Sequence, residues 1–200
     1  MISTKGGQRQ AELLDAAERV LTTRGNADAS LRDFAAAAGV RIGHLQHYFP
    51  TRADLIRAVL ERALQRSLER LSSALGPIEE RGEQPALTRS ETTSLFEILL
   101  AEQDDPSCVR LFVEVWAIAM SDESTAAVVR DFYTGYVGHV ADLVACVRPD
   151  LDRSRSLAVA ATVVSLVEGA AIVHSTVGVG RSAEARSEII RAAVGLVHGS

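Results

Sequence analysis

Apolar residues recur at helical spacing almost from the start of the chain. Over residues 10–24, Leu13, Ala17, Val20 and Leu21 share one face of a 3.6-residue repeat, and Gly25 stands where a helix C-terminus favours glycine. Ser30 precedes Leu31, and Asp33 follows three residues after the serine. That hydroxyl and carboxylate mark a helix start, so a short second helix is expected through Ala38, ended by Gly39. Gly39-Val40-Arg41 forms a tight turn into a third helix over 42–49, which Pro50 stops. Thr51 and Asp54 repeat the start signal and open a long amphipathic helix expected to reach about Leu75, where Gly76-Pro77 breaks it.

Residues 78–86 carry Glu79, Glu80, Gly82 and Pro85 and read as an exposed connector. Beyond it the pattern predicts helices at 88–103, 107–120, 123–147, 153–177 and 183–198. No alternating strand pattern competes with them, since the β-branched residues at 162–167 suit a long buried helix. The expected fold is all-α: an N-terminal three-helix helix-turn-helix domain over 1–51 and a C-terminal helical bundle over 52–200.

Composition supports a folded, helical chain: 47% of the 200 residues are hydrophobic, 24% charged and only 4% aromatic. The net charge of -5 by itself gives no sign of a polyanionic partner. Its distribution does. Through Arg57 there are eight basic residues against six acidic ones, and beyond it thirteen against twenty. Cys108 and Cys146 have neither CxxC spacing nor histidine neighbours, so a zinc site, a metal and a disulfide framework are not expected. The polar first ten residues lack the apolar run of a secretory signal, and the apolar stretch 157–173 is interrupted by Glu168, so a cytoplasmic protein without a membrane partner is expected. No nucleophile with motif context, phosphate loop or ligand cluster points to an enzyme, and no cofactor is implied.

Residues 30–49 carry the functional signal. Two short helices joined by a glycine turn are the arrangement that offers its second helix to a DNA major groove. At 100° per residue Ile42, Leu45 and Phe49 share the face expected to meet the core, while Gly43, His44 and His47 project the other way with Gln46 and Tyr48 at the flanks. Those groups suit base edges and phosphates. His44 and His47, at i and i+3, could share a metal, but no third ligand stands near them in sequence. Tyr48 is equally readable as a packing residue, and Arg41 and Arg52 as solvated charges.

Leu31, Phe34-Ala35, Ala38-Gly39-Val40, Gly43, Leu45, Tyr48-Phe49 and Leu55 resemble the DNA-binding signature of the TetR family over about the first 60 residues. The resemblance implies a symmetric dimer on double-stranded operator DNA. It places Arg41 at the start of the recognition helix and lets Gly43 admit a close backbone approach. Gln46 stands where the family often has a phosphate-contacting Tyr, and Arg52 where it often has Lys. Arg32, beside Ser30, and Lys5, in an N-terminal arm, are further candidates for phosphate contact.

In the C-terminal half, residues 110–120 hold the single Trp, with Phe112, Trp116 and Met120 in an i, i+4, i+8 stripe that reads either as core or as pocket lining. Tyr133 and Tyr136, then Glu168 and His174, could add polar groups to a small-molecule site. Glu168 demands a pairing, a proton, an interface or a ligand, because a carboxylate in such an apolar stretch cannot stay bare. The Trp-bearing helix and Val167-Glu168-Gly169 resemble the C-terminal domain of TetR regulators related to choline-responsive repressors. Small residues at Ala158, Ala161, Ser165, Gly169 and Ala170 suit close helix approach, and the last two helices are expected to build a homodimer interface. The expected function is a ligand-responsive repressor released from a palindromic operator by a small-molecule effector. The second reading is a DNA-binding regulator controlled by a protein partner instead.

Overall fold

A computed structural model describes residues 5–25, 29–79, 87–101, 105–176 and 182–199. The regular structure among the described residues is all helical: α1 Lys5–Arg24, α2 Leu31–Ala37, α3 Ile42–Tyr48, α4 Arg52–Glu79, α5 Arg89–Ala101, α6 Pro106–Ala119, α7 Glu123–Val147, α8 Arg153–Ala171 and α9 Ala183–His198. A π-helical turn, Ile172–Thr176, extends α8. The all-α expectation holds, and most helix limits fall within two residues of those read from the sequence.

One limit differs. α4 continues through Gly76-Pro77 to Glu79 instead of stopping near Leu75. Proline removes one ladder hydrogen bond and crowds the carbonyl four residues back, and these costs fall in the last turn, where few bonds remain to be lost. Of the expected connector, Ile78 and Glu79 therefore belong to α4, and residues 80–86 lie outside the described ones.

Two compact units share the chain, residues 1–65 with 110–129 and residues 66–109 with 130–200. In the first unit, Leu13, Ala17 and Leu21 of α1 meet Phe34 of α2, Leu45 of α3, Phe49, and Leu55, Val59 and Leu60 of α4. Leu111 and Val115 of α6 complete the same core. Arg62 ties α4 to α1, its guanidinium 2.8 Å from both Asp15 and Glu18. The α6–α7 turn is gripped as well: Arg57 of α4 donates to Ser124 Oγ at 3.0 Å, and Asp122 accepts from the Thr125 N–H at 2.7 Å to cap α7. Close approach of α6 to the end of α1 is visible at Gly25, whose φ of +80° admits few residues other than glycine and where an added Cβ would lie 2.9 Å from Glu114 Oε1.

In the second unit α9 packs against both α5 and α8. Buried side chains come from Leu95, Phe96 and Leu100 of α5, Phe132, Val140 and Val144 of α7, Val163, Val164 and Val167 of α8, and Ile190, Val194 and Val197 of α9. Polar ties join α5 to α9, with Thr92 Oγ1 3.0 Å from His198 Nε2 and Arg186 donating to the Glu97 carbonyl at 3.1 Å. The stretch Arg153–His174 is long and apolar enough to cross a membrane by length and composition, more so than the sequence reading of 157–173 allowed. One face of it packs against α9.

Candidate nucleic-acid interface

The helix-turn-helix is built by local chemistry at each end of α2. Ser30 caps it: its hydroxyl accepts from the Asp33 N–H, and Asp33 returns a bond to the Ser30 N–H, completing the reciprocal box anticipated from their spacing. Hydrogen bonds from Ser30, aided by Arg24 at 2.8 Å, hold the Asp33 carboxyl below its usual range. At the other end Gly39, at φ +64°, donates to the Ala36 carbonyl while Val40 donates to Ala35. This left-handed stop needs a residue without a Cβ, and it reverses the chain in three residues. α3 then begins at Ile42.

Thr51 and Asp54 form the same reciprocal pair at the start of α4, with Thr51 N–H to Asp54 at 3.0 Å and Asp54 N–H to Thr51 Oγ1 at 3.1 Å. Arg52 joins this end of α4 to the chain before α2, its Nε donating to the Ala29 carbonyl at 2.9 Å. Half-buried Arg52 thus has a structural partner that its position in the sequence did not announce, and Ser30 likewise spends its hydroxyl on the α2 cap.

On α3, Leu45 is wholly buried, and Phe49, just past the helix end, is buried with it. Ile42, expected on the same face, is 39% exposed. It occupies the first helical position, where no preceding turn presses the side chain inward, and Phe49 reaches the core through an extended backbone, φ -133°, rather than by helical periodicity. The remaining face is open. Arg41, Gly43, His44, Gln46 and His47 are exposed, and a Cβ at Gly43 would meet nothing within 4 Å. Tyr48 is half-buried at the edge of this face, its ring edge-on to His44 at 5.6 Å and to His47 at 5.3 Å. Arg9 of α1 reaches the same cluster, with Nε 3.4 Å from His44 Nε2. Sequence reading missed Arg9, whose partner lies 35 positions away. Arg32 is exposed on α2, and Lys5 is the first residue of α1. An open groove of about 310 Å³ between α1 and α2, lined by Arg19, Thr23, Arg24 and Asp33, includes none of the α3 residues.

The residues expected at a small-molecule site divide between the units. In the first, Phe112 and Trp116 are half-buried on α6, and Met120, one residue beyond the helix end, is 89% exposed. In the second, the ring of Phe132 lies 4.9 Å from Tyr133 and 5.7 Å from Tyr136 on α7. Half-buried Glu168 of α8 hydrogen-bonds with Tyr133, and burial raises its pKa to about 7 despite that bond. His174 is half-buried in the π-helical turn. Among the described residues no group of three or more His, Cys, Asp or Glu side chains is placed to hold a metal ion.

Residues 13–59 match the family described as bacterial regulatory proteins of the tetR family, and residues 88–197 match the BetI-type transcriptional repressor C-terminal family. A helix-turn-helix regulator from the 5′ region of dhlA in Xanthobacter autotrophicus is 28% identical over 166 residues, covering 82% of this chain and 79% of that protein. The fold is that of a TetR transcription regulator from Haloarcula marismortui, with a TM-score of 0.76 at 17% identity over 96% of this chain and 97% of the other. It is also that of a transcriptional regulator from Saccharomonospora viridis solved in complex with choline, with a TM-score of 0.75 at 18% identity over 92% and 94%. With both halves matched in order along one chain, the protein belongs to the TetR family of DNA-binding transcriptional regulators and carries a BetI-type C-terminal domain.

Proposed function

We propose that the protein is a repressor that binds a palindromic operator as a homodimer and leaves it when a small cationic molecule occupies its C-terminal domain. The observation that carries the DNA half is the division of α3: Leu45 wholly buried beneath it, and Arg41, Gly43, His44, Gln46 and His47 exposed above. These five contact base edges and the groove wall, and glycine lets the backbone approach closely. Tyr48, Arg32, Lys5 and the start of α2 at Ser30 meet phosphates, which fix register and supply the salt-dependent part of affinity. Arg52 serves chiefly by anchoring α4 to Ala29, and so holds α3 in place.

The homodimer forms through α8 and α9. Ala158, Ala161, Ser165 and Gly169 of α8 leave an exposed strip of small side chains, which permits close approach of a second copy. Two recognition helices then stand about 34–36 Å apart, one turn of DNA.

Glu168 and its aromatic neighbours support the effector class. A half-buried carboxylate bonded to Tyr133, close to α7 rings and paired with no Lys or Arg among the described residues, is stabilised by a bound cation, and aromatic faces add cation–π attraction for a quaternary ammonium. Tyr136 and His174, in the same unit, are further contacts in this reading. The choline complex of the Saccharomonospora regulator makes choline the first probe. Signal passes along α4 and also through α6, because Leu111 and Val115 are part of the core that supports α3. Only a ligand that prefers one spacing of the recognition helices shifts the equilibrium.

The test is titration of a labelled operator duplex with and without choline. Choline that weakens operator binding, with the effect lost in Glu168→Gln, supports the reading. Operator binding indifferent to choline and to other small amines rejects the cationic effector and favours control by a protein partner.

A further inference from the structure

We propose that Arg9 is a positioning residue for base recognition: through His44 it decides which hydrogen-bonding group the recognition helix offers to the major groove. The proposal rests on the reading that His44 faces base edges. Arg9 lies on α1, 37% exposed, with Nη1 2.5 Å from Glu12 Oε2 and Nε 3.4 Å from His44 Nε2. Glu12 fixes one end of the guanidinium, so the other end is directed at the histidine ring rather than free to roam.

A guanidinium donates only. Its partner nitrogen must accept, so in this contact Nε2 of His44 offers its lone pair and the ring N–H is the one on Nδ1. The edge-on contact with Tyr48 at 5.6 Å restrains the ring further, and Tyr48 is itself edge-on to His47. Arg9, His44, Tyr48 and His47 thus form one connected cluster on the exposed side of α3. With Nε2 engaged, the imidazole presents an N–H donor and no acceptor. In the major groove such a donor matches guanine N7 and O6, and it opposes the exocyclic amino group of cytosine. His44 therefore selects a base that displays an acceptor, guanine first. Without Arg9 the ring is free to take either tautomer and either edge, and the selection weakens although His44 is still present.

The experiment is selection of bound duplexes from a randomised library by the full-length wild type, Arg9→Ala, Arg9→Lys, His44→Ala and the double variant, read as base preference at each position. Circular dichroism melts confirm that each variant is folded. Wild type is expected to prefer guanine at one position per half-site by about 5- to 100-fold. His44→Ala should flatten that position alone, and Arg9→Ala should flatten the same one. The double variant should be no flatter than His44→Ala, and Arg9→Lys, still a pure donor, should restore much of the preference. If Arg9→Ala weakens binding to all sequences alike and keeps the preference, Arg9 is a phosphate contact and the inference is overturned. If His44→Ala itself leaves every preference intact, His44 does not read bases, and both readings fall together.

Discussion

Gly43 and Glu168 place two single residues under opposing demands. At Gly43, in the first turn of α3, alanine would favour the helix more than glycine does, and an added Cβ meets nothing within 4 Å. Gly43→Ala should therefore raise stability by up to about 1 kcal/mol in urea denaturation while lowering operator affinity in a duplex titration, because the new methyl stands on the face proposed to approach DNA. Opposite signs in the two assays are the expected outcome. Glu168 has its pKa raised by burial to about 7, against 4.5 for an ordinary glutamate. Between those values the folded state holds more protons than the unfolded one, so this residue's contribution is fully present below about pH 4.5 and is lost as pH rises to about 7. The loss amounts to at most about 3 kcal/mol, less to the extent that water reaches the half-buried carboxylate. Glu168→Gln should raise the melting temperature at pH 8 and change it little at pH 5, measured by calorimetry.

Among the elements, α6 is the one whose packing changes the picture most. Leu111 and Val115 share a core with Leu13, Phe34 and Leu45, so α6 is part of the core on which α3 rests. Leu111→Ala should cost about 2–5 kcal/mol and remove hydrogen-exchange protection from α1 as well as from α6, measured by exchange mass spectrometry. Much of the rest was legible. The pairs Ser30–Asp33 and Thr51–Asp54 act over three residues, as do the glycine stop at 39 and the proline after Phe49, so helix limits could be read from neighbouring letters. What could not be read depends on distant partners: Arg52 on the Ala29 carbonyl, Arg9 on His44, and α6 against α1 at Gly25. Ile42 fails for a different reason, because periodicity treats the first residue of a helix like any other although no turn precedes it. At the candidate site, the exposed face of α3 followed from the signature and the helical repeat. The hydrogen bond that orients its histidine did not.

For the whole molecule, the unequal distribution of charge acquires a use: a chain of net charge -5 keeps its basic excess within the helix-turn-helix end. In the proposed dimer, excess negative charge beyond Arg57 disfavours DNA contact there and leaves the basic N-terminal residues as the favoured contact. The α8 strip is the test of that assembly. Ala161→Glu, on an exposed position, should convert dimer to monomer in analytical ultracentrifugation and reduce operator affinity with it, without unfolding the chain. Sequence-specific DNA binding by α3 is the property on which the proposed regulation depends. It is tested most directly by titrating a labelled duplex from the protein's own upstream region, and a scrambled duplex of equal composition, at about 50 and 200 mM salt. A clear preference for the natural duplex is expected, with affinity falling roughly a thousandfold between the two salt concentrations as phosphate contacts are screened. Equal binding of the folded protein to both duplexes would mean that α3 does not read sequence.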